Sequence, residues 1–456
     1  MRRHPTLAQL SDDLATGRTT SRQLVEECLA RIADPAGEGA RAFLKVNAEG
    51  ARAAAEAMDL LRAANAAPSP FAGIPISVKD LFDVAGEVTT AGSRVLAGNP
   101  PAERDAAAIA RLRRAGFVLI GRTNMTEFAY SGLGLNPHHD TPRSPWHRDE
   151  ARVPGGSSSG AAVSVADGMA HAAIGTDTGG SCRIPAAFTG LVGYKPTARR
   201  VPLDGVVPLA PTLDSVGPLA RSVACCASLD AVMAGEPLVD AAPVSLDGLR
   251  LVVPTTVALD DLEPVIAAAF SAALERLSAA GARVEERAFP EFAEIAGINA
   301  KGGFPAAESH AWHRALLETG AAAYDPRVAS RIRRGASQSA ADYIALVEAR
   351  RSLVDRATAR LAGIDALVMP TVVMLPPRIA DLADDDAFTR ANLLVLRNPT
   401  LINMIDGCAI SLPIAAEGDA PVGLTLAGPA GADRRLLAIA AAAEALLAGG
   451  APFRRL

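Results

Sequence analysis

Aromatic residues make up only 4% of this 456-residue chain. The core must therefore be packed mainly from Ala, Val, Leu and Ile, which suits close contact between helices and a sheet. Charge of one sign is lacking too: 45 basic and 50 acidic residues leave a formal net charge of -5. No global field draws in nucleic acid or an anionic membrane. The five cysteines, Cys28, Cys182, Cys225, Cys226 and Cys408, form no CxxC or Cys/His ligand spacing, and their odd number argues against a disulfide framework. No metal is expected, and a reducing cytoplasm fits this usage. The opening MRRHPTLAQLSDDLATG has basic residues but no apolar stretch behind them, so it does not read as a secretory signal. The most apolar run, at 436–450, is mostly Ala and is broken by Glu444; it reads as an amphipathic terminal helix rather than a membrane span.

What is present is a chain with 49% hydrophobic and 21% charged residues, enough for a large core. Thr20-x-x-Gln23 is a capping pattern ahead of apolar residues spaced as one helical face. FAGIPISVKDLFDV reads as a strand running into a loop at Lys79, and DAAAIARLRRAGFVLIG as a helix followed by a buried strand. From 155 to 197 the order is glycine turn, small-residue helix, strand, second glycine turn, short helix, strand. A Pro-, Asp- and Gly-bearing stretch at 234–248 reads as a linker to a second strand–helix–strand unit. Two further strands, CAISLPI and VGLTLAG, precede the last helix. This alternation predicts an α/β fold without internal repeats.

Two serine-bearing turns carry the chemistry. GGSSSG at 155–160 and TDTGGSCR at 176–183 each lead from a turn into a helix, where unpaired backbone N–H groups suit a developing oxyanion. A flexible surface turn is the plainer reading of the first. A serine also needs a base. Gly156-x-Ser158-x-Gly160 matches a nucleophile elbow, but only His171, His310 and His313 follow it, and the last two fall in a helical stretch. Lysines are few. Lys79, at a strand end in apolar surroundings, would lose its charge on burial and could act as the base; a surface pair with Asp80 or Asp83 is the alternative. No GxxxxGK[ST] or GxGxxG pattern supports nucleotide binding.

GIPISVKD, GRTNMTEFAYSGLGLNPHHDTP, VPGGSSSGAAVSVADGMAHAAIGTDTGGSCRIPAAFTGLVGYKPT and PLAPTLDSVGPLARSV together resemble the amidase signature family. The similarity is dense from about 71 to 223 and returns in RNPTLINMIDGCAISLPI and APVGLTLAG. The resemblance implies an α/β/α layered fold with a central mixed, largely parallel sheet. It implies one amidase domain over 1–456, the segment 249–456 completing the sheet and lining the substrate pocket. Carried over by motif position, the catalytic triad would be Ser181 as nucleophile, Ser157 as the bridging serine after a cis peptide bond, and Lys79 as base. The oxyanion hole would come from Thr178, Gly179, Gly180 and Ser181; Ser158, Asp177 and Arg183 would support the loop; Ala129, Tyr130 and Ser131 would line the acyl pocket. Cys182, Tyr194 and TARRVP depart from the family's common residues without touching the triad.

The activity so implied is hydrolysis of a carboxamide to a carboxylate and ammonia or an amine, through an acyl-enzyme and with no cofactor. The partner expected is a small-molecule amide, not nucleic acid or membrane, and a homodimer is compatible with the resemblance. Two other readings stand beside it: the glutaminase component of a tRNA-dependent amidotransferase, and a non-catalytic scaffold that keeps the fold. Ammonia release without a partner separates the first two, and loss of activity in Ser181→Ala excludes the third.

Overall fold

The computed structural model describes residues 4–238, 243–416 and 418–449, so the stretch expected as a linker lies partly outside the described residues. Its centre is one sheet of eleven strands: β1 Phe43–Val46, β2 Pro75–Lys79, β3 Val118–Thr123, β4 Ala172–Thr176, β5 Val192–Lys195, β6 Val216–Ala220, β7 Arg250–Pro254, β8 Arg283–Arg287, β9 Ala366–Pro370, β10 Cys408–Pro413 and β11 Gly423–Gly428. Their spatial order is β1-β3-β2-β4-β6-β5-β10-β11-β9-β7-β8. The sheet therefore draws on both halves of the sequence.

Alternating residues of single strands enter different apolar clusters. Leu251 and Val253 join a cluster containing Ile109, Leu229, Phe270 and Ile439. Val252 between them joins one containing Leu353, Leu401 and Ile402. This period of two buries both faces under helices and gives the layered α/β/α arrangement. The capping pattern at Thr20 is realised: its hydroxyl accepts from Gln23 N, and the Gln23 carbonyl oxygen accepts from Thr20 N, opening the helix Ser21–Ala33.

The sheet is mixed as expected, but its balance corrects the expectation of a largely parallel one. β2 pairs in parallel with β3 and β4, and β7 with β8 and β9. The β1–β3, β4–β6, β5–β6, β5–β10, β10–β11 and β9–β11 pairings are antiparallel. β5 and β6 make three of these pairings in the middle of the sheet, and β1 and β11 make the other three.

Among the described residues, no helix is long and apolar enough to cross a membrane.

Candidate active site

The parallel trio β3-β2-β4 brings three chain segments to one edge. Lys79 is the last residue of β2 and is level with Thr123 at the end of β3. Loops leaving β3 and β4 carry residues 124–131 and 177–182, so the chemistry-bearing residues converge at the carboxyl ends of parallel strands. The first serine turn packs here from above. Ser157 O accepts from Thr126 N at 3.1 Å, and Gly156 N donates to Gly132 O at 2.8 Å. The Gly156–Ser157 peptide bond is cis. A Cβ at Gly156 would lie 2.5 Å from the Gly134 backbone nitrogen, so this approach requires glycine.

Lys79 is 0% exposed. Its Nζ donates to Ser157 Oγ at 2.7 Å and to Thr176 Oγ1 at 2.8 Å. Burial lowers its pKa to about 8, against the opposing influence of Cys182, Asp177 and Asp214. The surface pairing with Asp80 or Asp83 is thus not formed; Asp80 instead binds Arg122 at 2.5 Å.

The second turn is held by Asp177. Its carboxylate accepts from Gly180 N at 2.8 Å, Cys182 N at 3.2 Å, Arg183 Nε and Nη2 at 3.0 and 2.9 Å, and Asn403 Nδ2 at 3.1 Å. Burial pushes this carboxyl upward, but the charge and hydrogen bonds of Arg183, with Lys195 and Asn403, hold it well below the usual carboxylate range. Thr178 Oγ1 donates to Asp214 Oδ1 at 2.5 Å. Among the described residues, the Thr178, Gly179 and Ser181 backbone N–H groups have no hydrogen-bond acceptor, whereas Gly180 N–H is occupied by Asp177. Of the four N–H groups expected to form an oxyanion hole, three are thus without an acceptor among the described residues and the Gly180 N–H is taken by Asp177. Gly180 has φ 128°, and a Cβ there would lie 2.6 Å from Pro399 Cβ. Gly180→Ala is expected to fold yet lose about 10²-fold or more in turnover, the scale of a disturbed oxyanion hole; steady-state kcat beside a circular-dichroism spectrum checks it.

Not every expected residue joins this network. Ser181 is buried, but among the described residues its hydroxyl has no hydrogen bond, to Ser157 or elsewhere. Ser158 reaches only Thr176 O, at 3.4 Å. Ser131 Oγ donates to Asn392 Oδ1 at 2.8 Å, while Ala129 and Tyr130 lie on the same turn. Among the described residues, no histidine bonds Ser157, Ser158 or Ser181, which removes the elbow reading; His313 pairs with Tyr324 and His138 with Glu127. Cys182 is fully buried and burial pushes its thiol pKa up, as an inert thiol requires. A cavity of about 1430 Å³ elsewhere is bordered by Trp146, Arg221 and Leu412 but by none of Lys79, Ser157 and Ser181, so volume does not mark these three residues.

The amidase family model matches residues 23–437. The chain belongs to the amidase family. This amidase is 39% identical to 2-amino-5-chloromuconic acid deaminase of Comamonas testosteroni, over 98% of this chain and 97% of that protein. It is 35% identical to a glutamyl-tRNA(Gln) amidotransferase subunit of Mycobacteroides abscessus, over 96% of each. A crystal structure of an amidase superposes with a TM-score of 0.86 at 33% identity, covering 97% of this chain and 99% of that one. The amidase is thus an enzyme acting on amide C–N bonds. Reading by motif missed Thr176, Asp214 and Asn403. Only their polarity within apolar or Pro-bearing stretches marks them, and that does not reveal their partners.

Proposed function

We propose that this amidase hydrolyses a carboxamide through Ser181, Ser157 and Lys79. The carrying observation is the 2.7 Å contact from fully buried Lys79 Nζ to Ser157 Oγ, in surroundings that lower the lysine pKa to about 8. Neutral Lys79 takes the Ser157 proton while Ser157 takes that of Ser181, whose oxygen attacks the carbonyl carbon. Serine-to-serine contact is the step that closes in the Michaelis complex, where catalytic hydrogen bonds tighten. The oxyanion faces the N–H groups of Thr178, Gly179 and Ser181. On collapse the C–N bond breaks and the relay returns the proton to nitrogen, freeing ammonia or an amine. Water then attacks the acyl-enzyme by the same relay, giving a carboxylate and regenerating Ser181.

The substrate in this reading carries an acid group. Arg331 is half-buried beside the acyl-pocket segment, its Nη1 donating to Tyr130 O at 2.7 Å and its guanidinium 4.8 Å above the Phe388 ring. Among the described residues no carboxylate lies within ion-pair distance of it, and burial lowers its pKa. A partly desolvated guanidinium with no carboxylate beside it suits an incoming one. The Comamonas testosteroni relative, by its name, deaminates an acid. Ammonia release from the chain alone is expected with acidic amides in preference to neutral ones of the same length, and Arg331→Ala should raise KM about 10-fold or more for the acidic set only, the scale of a lost charged hydrogen bond. Release that appears only when an amidotransferase partner is added would favour the amidotransferase reading, to which the 35% identity with the Mycobacteroides abscessus protein lends support.

A further inference from the structure

Glu127 is the one acid on the turn that carries the expected acyl-pocket residues Ala129 and Tyr130, and it is 0% exposed. An acid so placed needs donors, and it has them from three separate stretches. Ser93 Oγ and His138 Nε2 reach Oε1 at 2.6 and 2.9 Å, and the Asp325 backbone N–H reaches Oε2 at 2.8 Å. Asp325 caps the helix Pro326–Arg333. The same helix returns to the same turn at its other end, where Arg331 Nη1 binds Tyr130 O. Helix and turn are therefore joined at two points about two helical turns apart.

The turn itself is strained. Phe128 and Ala129 have φ of 49° and 59°, a left-handed backbone in two successive residues that are not glycine. Each such residue costs on the order of 1–3 kcal/mol and persists only where its surroundings fix it. Here Phe128 N donates to Ala91 O, and its ring packs against His313 and Tyr324 with centroids 4.3 and 5.4 Å away. Tyr324 directly precedes Asp325, so the Glu127 bond also fixes the segment that walls the Phe128 ring.

We propose that Glu127 is a positioning residue that locks the helix Pro326–Arg333, and with it the Arg331 guanidinium, onto the acyl-pocket turn. This rests on the reading that Arg331 meets a substrate carboxylate. A carboxylate serving stability alone would leave substrate affinity untouched when removed from a chain that still folds. A carboxylate that places Arg331 would share its effect with Arg331.

The test is a double-mutant cycle on KM for an acidic amide, with melting temperature followed in parallel. Glu127→Ala should raise KM about 10-fold with a smaller fall in kcat, and Glu127→Gln, which keeps an acceptor for Asp325 N–H, should return KM to within about 3-fold of wild type. Glu127→Ala/Arg331→Ala should be no worse than the poorer single variant. Independent, multiplying KM effects would overturn the proposal, as would a KM equal to wild type in Glu127→Ala. Should that variant fail to fold, Asp325→Pro removes the same N–H donor at a residue whose φ of -57° proline adopts, with Asp325→Ala as the control for the lost cap. Equal KM in those two variants would again overturn it. Failure of the catalytic reading is seen separately, as activity retained in Ser181→Ala.

Discussion

Ser181→Ala is expected to lower kcat for amide hydrolysis by about 10⁴-fold or more, the order found when a covalent nucleophile is removed. The residue left behind would still bind substrate and still present the free N–H groups at 178, 179 and 181, so activity should fall to a low plateau rather than to the uncatalysed rate. Stability should scarcely change. The Ser181 hydroxyl has no hydrogen-bond partner among the described residues, so its loss strands no donor or acceptor, and the melting temperature should stay within about 2 °C of wild type. Intact-mass analysis of the wild type during turnover should show an acyl adduct that the variant lacks. An alanine variant within tenfold of wild type would end the assignment of Ser181 as nucleophile.

Removing the lysine has a second signature, in pH. Lys79→Met, close in length and apolar, should cost about 10²–10⁴-fold in kcat, the contribution of a positioned base. In the proposed mechanism the working form of Lys79 is the neutral amine, and its pKa is lowered by burial to about 8. Activity should thus rise with pH up to about 8 and level off above it, and the variant's residual activity should lack that inflection. Stability follows the same sign. Folding lowers this pKa from 10.5 to about 8, so between those values the unfolded chain binds more protons, and the group's contribution to stability grows as pH rises through that window. The wild type should gain on the Met variant by about 3 kcal/mol across it. A pH profile unchanged by the substitution would show that another group supplies the base.

The strand–helix succession was legible because periodicity and punctuation are local. FAGIPISVKD ends its strand at Lys79 and FVLIG becomes β3, with boundaries shifted by a residue or two. Strand direction was not legible, since it depends on pairings between distant segments. β6 went unread because Gly217-Pro218 in VGPLA carries turn signals, which pairing on both sides overrides. In the site, Lys79 and Ser157 stand out by motif and meet in space. Thr178 and Asp214 meet across 36 positions and Asp177 and Asn403 across 226, distances at which a lone polar residue announces nothing. The expected oxyanion set shows the same limit: four consecutive N–H groups look equivalent in TGGS, and only the fold reveals that the Asp177 side chain occupies the third.

The carboxylate of Asp177 has a bearing on how the protein comes into being on the ribosome. Its Arg183 and backbone donors lie within six residues, but Asn403 arrives when all but the last tenth or so of the chain has been made, and β10, the neighbour of β5, comes later still. Such remote closure is slow to find and leaves earlier segments waiting. A nascent chain holds Lys79, Ser157 and Ser181, the residues of the proposed triad, about two hundred residues before it has the Asn403 side chain that binds Asp177. On the proposed mechanism, a truncated product that carries the whole signature region but ends before Asn403 is expected to release no ammonia.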